Sequence, residues 1–289
     1  MLRVPHASVA MNLRLLFCFL GLIGLCAAPA RAQISAVASP SGPVPAGPYV
    51  VVDAATGETL LERDAGVFWY PASLTKMMTI YIVFEELKAG RLTLASPLPF
   101  SQTASAKPAS KLGVAPGGSI TVEQGLQALV ARSANDVATA FAERISGTEA
   151  ALAQRMTETA SRLGMTATQF RNANGLPDAG QVTTARDLAL LGIALVREFP
   201  EYYGYFHTQE FMFGKQRIGP GIKFLKHYAP YADGLKTGFI CASGFNIVGS
   251  AVRDGRRLVA VALGFRRADL RGPGGGELSP PKSPPKDMT

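Results

Sequence analysis

Three short clusters in this chain carry residue types able to do covalent chemistry at a carbonyl. In Ser73-Leu74-Thr75-Lys76 a hydroxyl and an amine stand three positions apart, which on a helix places both on one face. A serine is a weak nucleophile until a base takes its proton, and a lysine becomes that base when burial lowers its pKa. At the mouth of a helix, N–H groups would also point at negative charge developing on the serine oxygen. A capping serine beside a surface lysine satisfies the same spacing, and Ser279 to Lys282 and Ser283 to Lys286 repeat it inside a proline-rich stretch. The second cluster, Ser133-Ala134-Asn135, lies between two helical patterns, where Ser, Asn and the following Asp136 are also ordinary helix caps. The third, Lys236-Thr237-Gly238, offers a cation, a hydroxyl and an unobstructed backbone edge of the kind that binds an extended peptide or a carboxylate.

The elements that must position these clusters follow from pattern. Tyr49 to Asp53, a turn through Gly57, and Glu58 to Arg63 read as a hairpin. Leu74 to Lys88 is apolar nearly all round and stops at Gly90, which predicts a buried helix opening just after Ser73. Helical periodicity recurs at Val122 to Ala131, Asp136 to Ser146, Glu149 to Leu163 and Ala185 to Glu198. Strands return at Gly234 to Ile240, Phe245 to Val252 and Arg257 to Gly264, with a turn at Asp254-Gly255. Strands, helices, strands predict an α+β arrangement: one antiparallel sheet from both ends of the chain, with the helical middle packed on its faces.

At 289 residues with 47% hydrophobic and 17% charged residues, the chain can bury a sizeable core and is unlike a disordered polymer. Three His and three Cys would be nearly used up by one metal site, so neither a structural metal nor a cofactor is expected. Residues 1–32 read as a signal peptide: a basic start, the apolar run Leu15 to Leu25, and a small-x-small pattern at Ala30-Arg31-Ala32. Met11 is a second possible start for the same leader. The leader carries three arginines and no acid, so the +8 of the whole chain falls to +5 without it. With basic residues scattered and not interleaved with aromatics, nucleic acid is not the expected partner. Only Cys241 remains after the leader, which excludes an internal disulfide. Residues 33–47 read as a linker, 48–268 as the folded domain, and 269–289, with nine Gly or Pro, as a disordered tail.

Taken together, the three clusters agree in order, spacing and setting with the signature of penicillin-binding proteins and class A β-lactamases. The stretch from about Gly47 to Gly264 resembles the low-molecular-mass D-alanyl-D-alanine carboxypeptidases of the peptidase S11 family: PASLTKMMT around Ser73, RSANDVA around Ser133, NANGLPD at Asn172 to Asp178, TARDLA at Thr184 to Ala189, and DGLKTGF around Lys236. The resemblance implies a β-lactamase/transpeptidase-like fold. It also implies an exported, periplasmic enzyme that removes the terminal D-alanine from peptidoglycan stem peptides in cell-wall maturation and is inhibited covalently by β-lactams. Ser73 would form the acyl-enzyme and Lys76 would accept its proton. Ser133, hydrogen-bonded between two lysines, would protonate the leaving D-alanine, and Asn135 would hold the peptide carbonyl. Lys236 and Thr237 would bind the terminal carboxylate, with Gly238 keeping the edge open. The N–H groups of Ser73 and Phe239 would form the oxyanion hole.

Three departures from the family pattern bear on these expectations. Many relatives carry an arginine upstream of K-T-G that helps bind the carboxylate; here GKQRIGPGIKFLKHY leaves Arg217 or Lys223 as substitutes. After Leu263-Gly264 the chain reads FRRADLRGPGGG, where relatives continue into a helix packed on the sheet. The β-rich second domain and amphipathic anchor of many relatives are not found, predicting no firm membrane anchor. Readings kept beside the carboxypeptidase are a DD-endopeptidase cutting crosslinks, a non-catalytic penicillin-binding relative, and a β-lactamase. The last needs a second carboxylate base, and no Glu-x-x-x-Asn occurs between Asn135 and Lys236.

Overall fold

Asp53 closes the first hairpin, its Oδ1 accepting the N–H groups of Ala55 (2.8 Å) and Thr56 (3.1 Å) between β1 (Tyr49–Asp53) and β2 (Thr59–Arg63). The computed structural model describes residues 47–219, 225 and 230–265. The predicted leader, residues 33–46 of the linker, the tail at 269–289 and Lys223 lie outside the described residues. A 3₁₀ turn at Ala72–Leu74 runs directly into α1 (Thr75–Lys88). Then come β3 (Pro97–Pro99), α2 (Gln102–Ser105), β4 (Ser119–Thr121), α3 (Val122–Ala131), α4 (Asn135–Ser146), α5 (Glu149–Arg162) and α6 (Ala185–Glu198). A second 3₁₀ turn at Tyr203–His207 precedes β5 (Phe211–Phe213), β6 (Gln216–Ile218), β7 (Ala232–Ile240), β8 (Gly244–Arg253) and β9 (Arg256–Phe265).

The long elements fall within two residues of their predicted bounds, whereas β3 to β6 and α2 are too short to leave a period in the sequence. The main sheet is antiparallel with strand order β2-β1-β9-β8-β7, so the two ends of the chain meet: Val50 pairs with Val261 and Val52 with Val259. α6 packs on β1, β8 and β9. α1 runs through the middle of the helical layer against α3, α4, α5 and α6, buried on every side, with Met77, Ile80, Ile82 and Phe84 fully enclosed. Each such large apolar side chain stabilises the fold by about 1.5–3 kcal/mol. Threonine caps fix where the helices begin: Thr121 and Gln124 form a reciprocal capping box on α3, and Thr148 and Thr184 cap α5 and α6. This scaffold brings together the turn before α1, the α3–α4 connection and the edge strand β7.

Candidate active site

The turn that carries Ser73 is held from three directions. Trp69 forms an isolated antiparallel bridge with Thr183, and its Nε1 donates to the Ser243 carbonyl at 3.0 Å. Asn246 on β8 donates through Nδ2 to the Tyr70 carbonyl at 2.9 Å. Ala72 sits at φ +47°, a left-handed conformation that costs a non-glycine residue about 1–3 kcal/mol and collects at functional sites. β7 presses against this turn. A Cβ on Gly238 would lie 2.9 Å from the Ser73 nitrogen and 3.1 Å from the Pro71 carbonyl oxygen, so only glycine lets the strand edge approach the nucleophile.

Lys76 follows one turn later and is fully buried. Its Nζ donates to Ser73 Oγ (3.1 Å), to Asn135 Oδ1 (2.8 Å) and to the carbonyl of Asn174. Burial holds its pKa well below the ordinary lysine range, the positive charge of Lys236 lowers it further, and Asp136 and Glu149 pull it back up. Lys236 is also buried; its Nζ donates to the Thr237 carbonyl at 2.9 Å, and burial pushes its pKa down to about 8.

Ser133, in the loop between α3 and α4, has φ +56° and a buried Oγ with no hydrogen-bond partner among the described residues. The expected bridge from Ser133 to two lysines is therefore not made in this structure. Both amines are satisfied elsewhere, and the hydroxyl is left facing the cleft. Asn135 opens α4. Its N–H donates to the Ser110 carbonyl (2.7 Å) and its Nδ2 to the Pro108 carbonyl (3.0 Å). Asp136, which the sequence suggests as a cap, instead accepts the N–H groups of Leu112 (3.0 Å) and Gly113 (2.8 Å) besides that of Val137.

These residues surround a cleft of about 370 Å³. Ser73, Ser133, Asn135, Lys236, Thr237, Gly238 and Phe239 all line it, and Lys76 lies directly behind Ser73. Thr237 is exposed, and the half-exposed Phe239 ring packs 4.4 Å from Phe245 at the rim. Arg217 does not line the cleft and is paired with Glu210, so of the two basic substitutes only Lys223, outside the described residues, is left.

The functional reading of the sequence gave no role to Asn174, Gly175 or Glu149. Gly175, at φ +85°, is jammed against the nucleophile's turn: a Cβ there would meet the Ala72 carbonyl oxygen at 2.0 Å. The Asn-Gly pair is a turn signal that could have flagged this loop. Nothing in the sequence flags Glu149, because its partners at the cleft walls, Lys107, Ala173 and Asn174, lie more than twenty positions away.

A hydroxyl beside a buried amine, under a glycine-cleared strand edge, is an arrangement for acyl transfer. The sequence profile of the D-alanyl-D-alanine carboxypeptidases, peptidase S11, matches residues 34–267. The chain belongs to that family. D-alanyl-D-alanine carboxypeptidase DacC of Escherichia coli K12 is 34% identical over 253 residues, which cover 86% of this chain and 63% of DacC. The chain thus spans less than two thirds of the length of that S11 relative. Among solved structures, penicillin-binding protein 5 from Haemophilus influenzae is 30% identical with a TM-score of 0.74, covering 79% of this chain and 68% of that one. Penicillin-binding protein D2 from Listeria monocytogenes, in its ampicillin-bound form, is 29% identical with a TM-score of 0.69, covering 78% and 91%. The fold of this S11 chain is the one predicted: a mixed α/β molecule of the β-lactamase/transpeptidase type. Among the described residues no helix is long and apolar enough to cross a membrane.

Proposed function

We propose that the chain is a serine-type DD-carboxypeptidase that removes the terminal D-alanine from peptidoglycan stem peptides. The observation that carries this reading is the fully buried Lys76 amine 3.1 Å from Ser73 Oγ, at the back of a cleft walled by the edge of β7. Burial lowers the pKa of this amine and so favours its neutral form, which accepts the serine proton as Oγ attacks the carbonyl carbon. The N–H groups of Ser73 and Phe239 receive the oxyanion. Asn135 holds the peptide carbonyl, while Lys236 and Thr237 hold the terminal carboxylate. As the amide C–N bond breaks, the Ser133 hydroxyl passes its proton to the departing D-alanine nitrogen and takes in exchange the proton that Lys76 received from Ser73, which returns the lysine to its neutral form. Water then cleaves the ester, with Lys76 or Ser133 taking its proton.

The leader at 1–32 directs the enzyme to the periplasm, where its substrate lies, and β-lactams acylate the same serine. A β-lactamase needs a further carboxylate to drive water onto its acyl-enzyme, and none of the described residues lining the cleft is acidic. Mass spectrometry after exposure to penicillin should therefore show an adduct on the Ser73 peptide that persists for minutes or longer. Rapid catalytic loss of penicillin with no accumulating adduct would turn the reading to a β-lactamase. Release of free D-alanine from a pentapeptide, without monomers from crosslinked dimers, separates the carboxypeptidase from a DD-endopeptidase.

A further inference from the structure

Glu149 stands outside the cleft at the first turn of α5, yet its two carboxylate oxygens reach both of the cleft's loop walls. Oε1 accepts from Asn174 Nδ2 at 2.6 Å and from the Ala173 N–H at 3.2 Å, with Thr139 Oγ1 at 3.3 Å. These bonds hold the 172–176 loop, whose Asn174 carbonyl receives the Lys76 amine and whose Gly175 and Leu176 line the cleft. Oε2 pairs with Lys107 at 2.6 Å, just before Ala109 and Ser110 of the opposite wall. The carboxylate side chain is only 17% exposed, so both contacts are shielded from bulk water. Asn174 has no slack to compensate, because its Oδ1 already accepts the Leu176 N–H at 2.9 Å.

We propose that Glu149 is the positioning residue of this site: it fixes the carbonyl that aims Lys76 at Ser73 and couples the two loop walls. Its negative charge acts with that of Asp136 to favour the protonated Lys76. The inference rests on Lys76 being the base for Ser73. A shift in acylation geometry of about 1 Å can cost roughly a hundredfold in rate, so a tether of this kind is felt in the chemical step. The charged groups that face Lys76 are Lys236 on β7, Asp136 on α4 and Glu149 on α5. Of the two acids, Asp136 is committed to backbone N–H groups, and Glu149 is the one bonded to the residue that tethers the amine.

The test uses the described chain with ¹³C-labelled lysine, following the Lys76 Cε resonance, assigned with Lys76→Met, against pH, and in parallel the rate of acylation by benzylpenicillin. Glu149→Gln keeps an oxygen for Asn174 and removes the charge. Its Lys76 titration should move to lower pH, and the acid limb of the acylation profile should move with it. Glu158→Gln, which removes a charge elsewhere on α5, should move neither. Glu149→Ala should lower the maximal acylation step roughly tenfold to a hundredfold without weakening prior penicillin binding. Asn174→Ala should do the same, and the double variant should be no worse. An unmoved Lys76 titration in Glu149→Gln, or Glu149→Ala acylating within twofold of the parent, overturns the proposal. Failure of the parent to form an adduct at Ser73 would count against the proposed function instead, and the resonance titration would still decide the role of Glu149.

Discussion

Helix α1 and the 172–176 loop both hold Lys76, and they are themselves held in opposite ways. α1 is fixed mainly by apolar burial on nearly every side, with no side-chain cap. The loop is fixed by a few directed bonds: Asn172 Oδ1 to the Gly175 N–H (2.7 Å), Gln181 Oε1 to the N–H groups of Arg171 (3.0 Å) and Asn172 (3.1 Å), and Glu149 to Asn174. Non-directional packing supplies stability and tolerates small shifts, whereas hydrogen bonds to single backbone groups supply position and tolerate little. Damage to the helix should therefore appear in melting, and damage to the loop in rate.

The largest effect is expected where the two meet. Ser73→Ala should abolish penicillin labelling, and Lys76→Ala should slow it by several orders of magnitude, because nucleophile and base act as a unit. Normal labelling of the Ser73→Ala protein would remove the site altogether. Next comes Phe84→Ala within α1, whose ring lies 5.3 Å from Tyr202 and 5.6 Å from Phe199. It should cost about 3–5 kcal/mol of unfolding free energy in urea, with acylation at 25 °C close to the parent. A large rate loss there would mean that packing, too, sets the geometry. Gly175→Ala should show the reverse, acylation falling roughly tenfold or more while the melt shifts less, since its Cβ can be accommodated only if the loop or the Ser73 turn moves.

If Thr237 binds the terminal carboxylate as proposed, Thr237→Val keeps shape and removes one hydrogen bond to it, a loss of about 1.5–3 kcal/mol in transition-state binding. Turnover of a free-acid D-Ala–D-Ala peptide should fall and that of its C-terminal amide should barely change; equal losses would give Thr237 a structural role. The smallest effect concerns stability and pH. With its pKa about 8 in the folded chain and near 10.4 when unfolded, Lys236 leaves the unfolded state binding more protons between those values, so stability should rise with pH across that window. Urea melts at pH 7.5 and 9.5 should show that rise weakened in Lys236→Met. An identical rise in both proteins would place its source in other groups.

The same division explains what the sequence discloses. α1, α3, α6 and the five sheet strands leave a period in the chain because each must bury a face, and their bounds are readable within a residue or two. The three clusters are readable because each sits at the end of such an element. The walls of the cleft are not readable in this way. A bond from Glu149 to Asn174 spans 25 positions and leaves no local trace, and the left-handed backbone at Ala72 and Ser133 occurs where no glycine announces it. The free Ser133 hydroxyl also escapes prediction, because which acceptor a lysine chooses depends on carbonyls placed by distant loops.

The bond from Asn246 to the Tyr70 carbonyl, across 176 positions, gives the nucleophile a place in time as well as in space. The pairing of Val50 with Val261 and the seat of Trp69 on Ser243 likewise wait for the far end of the chain. Such distant contacts can form only once both ends of the long intervening segment exist, and they carry its loop-closure cost. A nascent chain thus contains Ser73, Lys76 and Ser133 in sequence and has no assembled turn to present them. If the proposed chemistry holds, reactivity arrives only with the strands that complete the sheet, so covalent labelling by penicillin should report a folded chain and stay silent toward its fragments.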